Sequence, residues 1–339
     1  WIENMNTVLD DNKKLCLLNG DMILMASTMN MLFEVADLAV ASPATVSRCG
    51  MVYMEPDTLG WQCMVESWMA TLPAQVKEHP VAPGILQGLV DAMVPPSLEL
   101  VTRQCRHVIS NVNRNTLVLG MLRLLGGFLQ ALPDEDEDSV KDPEAQRQLQ
   151  LRIEGYFLIS LAWAIGGTVD AEGRQKLDAW LRYELSHDKS SADKKAAGGA
   201  NTAPKMTKRP KLLVALPEQG TLYDNAFSAA ELKFVGWLSL VEETAPEDDM
   251  QFHEIIVPTV DTIRYSFLLT HCINYQLPLL LIGPTGTGKS ILVRDTLTRQ
   301  LDGDRYLTVF LQFSPQTTAN QTQETIDMRL EKRRKGVYG

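Results

Sequence analysis

The feature that most constrains the fold is an eight-residue glycine-rich segment, Gly283–Ser290, with the sequence GPTGTGKS. It matches the phosphate-binding pattern G-x-x-x-x-G-K-[ST] in full. The apolar run Leu279–Ile282 precedes it, and a helical pattern beginning at Ile291 follows it. A strand, a glycine loop and a helix in this order are the arrangement of a P-loop NTPase, so the segment predicts an α/β fold of that type.

The same segment, here called the phosphate loop, carries the groups that a phosphate needs. Gly286 and Gly288 allow the backbone to curl so that successive N–H groups point at one anion, and the helix that follows adds its positive end. Lys289 places a charge on the β and γ phosphates, and Ser290 offers a hydroxyl to Mg²⁺. The alternative is a glycine-rich turn with an incidental lysine, which the predicted strand and helix on either side disfavour.

A short apolar stretch with the sequence IIVPT, residues 255–259, lies ahead of the phosphate loop. It either packs on an adenine ring or enters the core as a strand, and the sequence favours neither. The predicted nucleotide-binding residues are Val257, Pro258, Gly283, Pro284, Thr285, Gly286, Thr287, Gly288, Lys289 and Ser290.

Hydrolysis also requires an acidic residue at the end of a strand, to hold Mg²⁺ and polarise water. Downstream of Ser290 the strand-like segment is Tyr306–Phe313, and no acid closes it. Glu324 and Asp327 belong to a polar helical pattern instead. The sequence therefore predicts a region that cradles a nucleotide but lacks its own hydrolytic acid.

Hydrophobic patterning divides the chain into four regions. Residues 1–60 mix short apolar stretches with turn signals, and residues 61–186 show apolar residues at helical spacing. Residues 187–210 are rich in Lys, Ala, Gly and Ser with almost no large apolar residue, which predicts a flexible insertion or linker. Residues 211–339 return to mixed α/β patterning.

Within these regions the patterns predict individual elements, beginning with a hairpin that turns at Asn19–Asp21. Buried strands are expected at Met31–Phe33, Met51–Met54, Pro278–Ile282 and Tyr306–Phe313. Helices are expected at Trp61–Leu72, Leu98–Ile109, Thr116–Leu132, Gln148–Ile165, Gln175–Leu185, Ser290–Gln300 and Asn320–Lys335, with prolines, among them the pair Pro95–Pro96, between helices. Four tryptophans have core spacing and are expected to pack the helical region: Trp61, Trp68, Trp163 and Trp180.

Composition narrows the function classes. The 339 residues include 32 basic and 42 acidic side chains, a net charge of −10 that disfavours a nucleic-acid partner. No apolar run reaches the ~18 residues of a membrane span, so no membrane partner is expected. The five scattered cysteines predict no disulfides and no metal site, and they favour a reducing compartment. The five dispersed histidines likewise predict no metal site. The acidic run 134–138 is predicted to be a solvated loop rather than a calcium site.

One arginine outside the phosphate loop is a candidate functional residue. In the segment ASPATVSRCG, residues 41–50, Arg48 lies where a helical turn gives way to the predicted strand Met51–Met54. An arginine displayed in this way can reach a phosphate on a neighbouring module, where its planar fork neutralises transition-state charge. From the residues alone, a surface or salt-bridge role is favoured.

Several long segments together resemble the AAA+ motor region of a dynein heavy chain, axonemal rather than cytoplasmic. Those similar to its second and third modules are Trp1–Lys14, Ser42–Met51, Val257–Thr262, Gly283–Ser290, Ser314–Thr322 and Arg333–Gly339. The resemblance implies a P-loop NTPase of AAA+ type, with two incomplete α/β modules and an all-helical lid between them. Residues 1–60 then belong to the second module, 61–186 to its lid, 187–210 to a linker and 211–339 to the first part of the third module. Because the sequence starts at Trp1 rather than Met, we expect it to be a piece of a longer chain.

The resemblance also implies functional roles. Arg48 completes the nucleotide site of the first module and is the predicted catalytic residue, whereas the phosphate loop binds ATP or ADP with Mg²⁺ at Ser290. The implied protein is a motor ATPase whose partners are the remaining AAA+ modules, dynein intermediate and light chains, and microtubules bound through a stalk elsewhere in the heavy chain. The expected location is the cytoplasm, the cytoskeleton and the axoneme of cilia and flagella. Glu34 falls near a sensor position, and Arg174 is either a lid residue facing the second module's nucleotide or an ordinary helix-surface residue.

Two other functions remain open at this point. The first is a nucleotide-degenerate scaffold that only packs or docks within a ring, which the missing acid motivates. The second is an independent small kinase or GTPase, which the absence of a base-specificity motif and of a complete acid set disfavours.

Overall fold

The structure is a computed structural model that describes residues 5–17, 19–110, 112–133, 142–186, 203–241, 257–330, 332–334 and 337–338. The chain forms two compact units, residues 1–58 and residues 59–339. Three predictions lie outside the described residues: the acidic loop at 134–138, residues 187–202 of the linker, and residues 255–256 of the apolar stretch.

The first unit begins with a short helix and a hairpin. Helix α1 (Asn6–Leu9) leads into strand β1 (Lys14–Cys16), which pairs antiparallel with β2 (Met22–Leu24). Gly20 lies in the turn with φ of 90°, a left-handed conformation that glycine adopts without a steric cost. The structure thereby confirms the predicted hairpin.

Helix α2 (Pro43–Arg48) carries the candidate arginine at its last position. It begins after Ser42, whose hydroxyl accepts a hydrogen bond from the Thr45 amide, and its first residue is a proline, which has no N–H to satisfy. A further short helix, α3 (Pro56–Leu59), follows at the boundary between the two units.

The two strands predicted in the first unit are wrong. Met31–Phe33 and Met51–Met54 have no regular secondary structure, and Leu32 and Val52 are 97% and 82% exposed. A strand must pair its backbone N–H and C=O groups with a neighbouring strand. Among the described residues of this unit, only β1 and β2 pair with each other, so these apolar segments have no strand beside them.

The second unit begins with a helical subdomain, which we call the lid. Its helices are α4 (Gln62–Ala70), α5 (Ala74–Lys77), α6 (Ala82–Gln104), α7 (Arg114–Gln130), α8 (Pro143–Ser160) with a π-helical turn at Leu161–Ile165, and α9 (Ala171–Leu185). Helices α6 and α7 both pack against α8, and α6 also contacts α9. The predicted tryptophan packing is confirmed: Trp61 and Trp180 are buried in the core, and Trp68 and Trp163 pack against it.

Helix α6 begins sixteen residues earlier than the Leu98 predicted from the sequence, because it runs through Pro95 and Pro96. A proline inside a helix removes a hydrogen bond and costs roughly 3 kcal/mol. Here the inward face of the helix, including the fully buried Leu86 and Met93, packs into the lid core. Full burial of such a side chain contributes about 1.5–3 kcal/mol, so tertiary packing outweighs the local cost.

Residues 203–224, here called the crossing segment, connect the lid to the rest of the unit. Three buried lid carboxylates accept its backbone N–H groups: Glu184 from Met206 at 3.2 Å, Glu154 from Leu213 and Val214 at 2.7 and 2.9 Å, and Asp178 from Leu222 at 2.8 Å. The composition predicted a flexible linker over 187–210. Its described part, residues 203–210, instead lies fixed on the lid because these carboxylates and the buried Met206 hold it there.

The remainder of the second unit contains small hairpins and separate helices. Its elements are β3 (Asn225–Ser228) paired with β4 (Lys233–Gly236), α10 (Val260–Asn274), α11 (Lys289–Asp295) followed by a π-helical turn at Thr296–Gln300, α12 (Ala319–Asp327), and β5 (Lys332–Arg334) paired with β6 (Val337–Tyr338). The predicted helix at Ser290–Gln300 is confirmed. The helix predicted at Asn320–Lys335 is shorter in the structure than expected, because α12 ends at Asp327 and Lys332–Arg334 form a strand.

The two strands predicted around the phosphate loop are wrong as well. Pro278–Ile282 and Tyr306–Phe313 have no regular secondary structure, and Leu280 and Leu307 are 78% and 69% exposed. Buried parallel strands need partners along their edges. Among the described residues every strand pair is an antiparallel hairpin, so no sheet flanks these two segments.

Candidate functional site

The phosphate loop ends directly at a helix N-terminus. Gly286 and Gly288 have φ values of 79° and 78°, and a Cβ added at either position would meet open space, so it is backbone conformation that requires glycine there. α11 begins at Lys289, and its first turn closes with the Leu292 N–H donating to the Gly288 carbonyl at 2.9 Å. The backbone thus has the two left-handed glycines and the following helix that a phosphate-binding loop uses.

Lys289 folds back into this loop. Its Nζ donates to the Gly283 carbonyl at 2.8 Å, to the Pro284 carbonyl, and to Thr287 Oγ1 at 3.0 Å. All three acceptors belong to the loop itself, so the ammonium lies where the loop surrounds it. A charged amine and left-handed glycine turns before a helix are a donor set that suits a phosphate, and the residues present therefore fit a bound nucleotide.

Ser290 lies on the first turn of α11 with an exposed side chain, and its hydroxyl has no hydrogen-bond partner among the described residues. A hydroxyl oxygen beside phosphate oxygens is a suitable ligand for Mg²⁺. Within the described ranges, no group of three His, Cys, Asp or Glu side chains comes together as a separate metal site.

Val257 and Pro258 lie on the wall of a cavity of about 1250 Å³. Leu292 and Asp295 of α11 line the same cavity, and so does the aromatic side chain of Phe267. None of the residues 283–290 lines it. The structure therefore brings the two predicted adenine contacts close to the helix that leaves the phosphate loop, rather than to the loop itself.

Helix α10 connects this cavity to the lid. Ser266 shares a hydrogen bond of 3.0 Å with Thr296, which is fully buried just after α11. At its other end His271 Nε2 lies 3.3 Å from the Leu124 carbonyl of α7, and since a carbonyl can only accept, Nε2 carries the proton. The imidazole stacks on Phe128 with ring centroids 3.8 Å apart.

The contact between α7 and α10 depends on a glycine. A Cβ added to Gly127 would lie 2.7 Å from His271 Nε2 and 3.1 Å from the Tyr275 ring, closer than side chains tolerate. Burial lowers the pKa of His271 to about 4, although the bond to the Leu124 carbonyl opposes the shift. The histidine is therefore neutral at pH 7. His271 is not among the predicted site residues, because a lone histidine in an apolar helix gives no sequence signal of function.

The hydrolytic acid that the sequence lacked is not supplied by the described residues near the loop. Tyr306–Phe313 is irregular, and of the two acids on α12 Glu324 is exposed and Asp327 is half-buried. Neither carboxylate makes a hydrogen bond or ion pair with another described residue. Among the described residues of this unit, no hydrogen bond joins an acidic side chain to the phosphate loop.

Arg48, in the first unit, is engaged within that unit. Its Nε donates to the Asp10 carboxylate and its Nη1 donates to the Ala44 carbonyl at 2.8 Å. The side chain is 32% exposed, so part of the guanidinium faces solvent. Asp10 is a partner that the sequence analysis missed, because the two residues lie 38 positions apart.

The two remaining candidates have different surroundings. Glu34 is exposed in an irregular segment of the first unit. Arg174 is not an ordinary surface residue: its guanidinium lies 5.6 Å from the centre of the Trp163 ring and 5.5 Å from that of Tyr223. Such distances allow cation–π attraction, which holds the half-buried side chain between Trp163 of the lid and Tyr223 of the crossing segment.

A helical lid followed by a phosphate loop on a helix N-terminus defines a P-loop NTPase of the AAA+ type. Sequence models of two families match the chain: "Dynein heavy chain AAA lid domain" over residues 86–239 and "P-loop containing dynein motor region" over residues 244–339. The chain belongs to the dynein heavy chain family and matches its motor region, an ATPase family. These matches confirm the predicted fold class, α/β P-loop NTPase modules with a helical lid.

Similar curated proteins are axonemal dyneins. Dynein axonemal heavy chain 1 of Homo sapiens and dynein axonemal heavy chains 12 and 3 of Mus musculus are each 39% identical over the whole of this chain. The chain spans 8%, 10% and 8% of their respective lengths. In the part of the chain that the structure describes, no helix combines the length and apolar character that crossing a bilayer requires.

Proposed function

We propose that this chain contributes two elements to an axonemal dynein motor: a site for ATP or ADP at the phosphate loop, and an arginine, Arg48, that completes the nucleotide site of the neighbouring first module. The observation that carries the first element is Lys289, whose ammonium is surrounded by loop acceptors just ahead of α11. The motor-region family matched over residues 244–339 supports the first element, and the similarity of the whole chain to axonemal heavy chains supports the second.

At the phosphate loop, the amides that follow Gly286 and Gly288 would bind the phosphates together with Lys289. Lys289 would exchange its loop carbonyls for phosphate oxygens, which attract the ammonium more strongly because they are negatively charged. Mg²⁺, when bound, neutralises charge on the phosphates, and the Ser290 hydroxyl would be one of its ligands. Val257 and Pro258 would contact the base from the cavity beside α11.

Arg48 would act on a different nucleotide. Its guanidinium is partly exposed at the end of α2 and stays charged at any physiological pH. A guanidinium placed against the γ-phosphate of a neighbouring module stabilises the charge of the transition state. By this route residues 1–60 would take part in ATP hydrolysis without a phosphate loop of their own.

For the whole protein we propose the roles of an axonemal heavy chain. Its partners would be the other AAA+ modules, dynein intermediate and light chains, and microtubules reached through a stalk elsewhere in the heavy chain. It would work in the axoneme of cilia or flagella, as the names of its relatives suggest. The proposed domain limits are 1–60, 61–186, 187–210 and 211–339.

A second candidate is a nucleotide-degenerate scaffold, in which the loop keeps its shape and only packs within the ring. It is motivated by the phosphate loop, which has no hydrogen bond with an acidic side chain among the described residues. Under this alternative the third module does not bind nucleotide, and its phosphate loop does not affect the ATPase activity of the motor.

Binding of fluorescent ADP to the third module distinguishes the two. It should be measured in the whole heavy-chain motor with the other nucleotide sites disabled. Lys289→Ala removes a charged phosphate contact worth about 1.5–3 kcal/mol, so affinity should fall about 10- to 100-fold. Lys208→Ala, which deletes the same charge from an exposed position, is the matched control. Equal affinity in the two variants would refute the proposed nucleotide site.

A further inference from the structure

The surroundings of Arg48 are built by two short helices that hold each other. Thr45 of α2 is 3% exposed, and its Oγ1 donates to Asn6 Oδ1 of α1 at 2.9 Å. Asp10 directly follows α1, and its backbone N–H closes that helix by donating to the Asn6 carbonyl at 3.0 Å. The contact between α1 and α2 therefore sets where the Asp10 carboxylate meets the guanidinium.

The guanidinium is fixed at two of its three nitrogens. Asp10 accepts from Nε and the Ala44 carbonyl accepts from Nη1, whereas Nη2 has no hydrogen-bond partner among the described residues of this unit. Because the fork is planar and rigid, fixing Nε and Nη1 fixes the plane and direction of the remaining N–H groups. The arginine thus keeps free donors in a set orientation.

Stability is a poor explanation for the pair. Arg48 and Asp10 side chains are 32% and 39% exposed, and ion pairs this accessible to solvent contribute about 0–1 kcal/mol. Holding a flexible side chain in one orientation, by contrast, changes a reaction that depends on geometry by up to about 100-fold for a displacement of 1 Å.

We propose that Asp10 is a positioning residue for Arg48: its carboxylate anchors Nε so that the free end of the fork points at the phosphate of the neighbouring module. The inference rests on the proposed role of Arg48. Asp10 touches neither nucleotide nor reacting atoms and acts only through the arginine. If Asp10 instead kept Arg48 away from the phosphate, we would expect its carboxylate to occupy the Nη2 end of the guanidinium. The structure leaves that end without a partner among the described residues.

Steady-state ATPase kinetics of the whole heavy-chain motor test the proposal. Asp10→Asn keeps the shape of the side chain but removes its charge, and should lower kcat about 10- to 100-fold with little change in KM. Asp10→Glu, which keeps a carboxylate, should recover part of that loss. Asp11→Asn makes the same charge change one residue further on, at an exposed side chain with no partner among the described residues, and should leave kcat unchanged.

The double variant separates positioning from a structural role. Arg48→Ala alone should lower kcat about 1000-fold, and adding Asp10→Asn to it should lower kcat no further, because Asp10 acts only through Arg48. Melting temperatures of Asp10→Asn and Asp11→Asn should agree. The inference is overturned if Asp10→Asn matches Asp11→Asn in kcat, raises kcat, or adds its full effect to Arg48→Ala. If Arg48→Ala itself leaves kcat unchanged, the proposed role of Arg48 fails instead.

Discussion

At the scale of single residues, the candidate sites consist of charged groups held by contacts that a nucleotide can replace or use. The Lys289 ammonium is bonded to neutral loop oxygens, and a phosphate can outcompete them because its oxygens carry the opposite charge. Arg48 differs in that its anchors leave one end of the fork free. In the proposed function the loop would therefore exchange partners on binding, whereas the arginine would need no rearrangement.

His271 makes a residue-scale prediction about pH. Its pKa is lowered from 6.5 to about 4 by burial, so between these values the unfolded chain binds a proton that the folded chain does not. Stability from this residue is fully present above pH 6.5 and is lost as pH falls toward 4, by on the order of 3 kcal/mol. Hydrogen exchange of the α10 amides in the whole motor should accelerate accordingly as pH falls, after correction for intrinsic exchange rates.

A non-titrating variant provides the control for this prediction. His271→Gln should be less stable at pH 7 and should lose the extra opening of α10 between pH 6.5 and 4. His107→Gln changes a histidine that bonds to Thr168 in the lid instead, and should leave the pH dependence of α10 as it was. An unchanged profile in His271→Gln would mean that another group governs the transition.

Which residues could be predicted follows from how local their contacts are. The phosphate loop was predicted in full because its glycines, lysine and serine act within eight consecutive positions. The Asp10 anchor and the His271 contact with Leu124 span 38 and 147 positions, and no sequence pattern indicates either pair. Residue identity alone therefore predicted the phosphate loop but not the contacts that orient the candidate side chains.

At the scale of elements, buried carboxylates of the lid hold the crossing segment in addition to the packing of its apolar core. Glu154, Asp178 and Glu184 lie on α8 and α9 and are buried, and each accepts a backbone N–H of the crossing segment. Burial raises the pKa of Glu154, while the amides of Val214 and Leu213 and the Gln150 side chain lower it in part. The crossing segment thereby joins the lid to the hairpin and α10 that follow it.

Glu154 allows an element-scale prediction. Glu154→Ala leaves the Leu213 and Val214 amides without their acceptor, which costs about 1–3 kcal/mol in a buried site. Exchange of these two amides with deuterated water should become about 10- to 100-fold faster, and Glu154→Gln, which keeps one carbonyl oxygen, should have a smaller effect. Glu144→Ala on the same helix removes an exposed carboxylate and should leave both amides protected. Equal exchange in all three variants would show that packing alone holds the segment.

Helices and strands differed in how well the sequence predicted them. The lid helices were predicted because a helix satisfies its hydrogen bonds within itself and shows its buried face as a local period. The exceptions were α5, which no pattern predicted, and α6, where packing overrides two prolines. All four predicted buried strands were wrong. A strand depends on partner strands, which can lie far along the chain, and an apolar run does not show whether such a partner is present.

At the scale of the whole molecule, each unit carries one candidate element: Arg48 in residues 1–58 and the phosphate loop in residues 59–339. Several large apolar side chains of the first unit are strongly exposed, among them Leu32, Val40 and Tyr53. Burial of such side chains against other protein surface would be favourable. Together with relatives about ten times longer, it supports the proposal that these residues work within a larger ring.

The most direct test of the proposed nucleotide site is a cryo-EM structure of the whole heavy-chain motor with saturating MgADP. If the phosphate loop binds ADP, density for two phosphates should lie inside Gly283–Ser290. The loop amides should point at these phosphates, and Lys289 Nζ should have moved from the Gly283 carbonyl to a phosphate oxygen. Nucleotide density in other modules beside a third-module loop that stays empty, with Lys289 still bonded to Gly283, would contradict it.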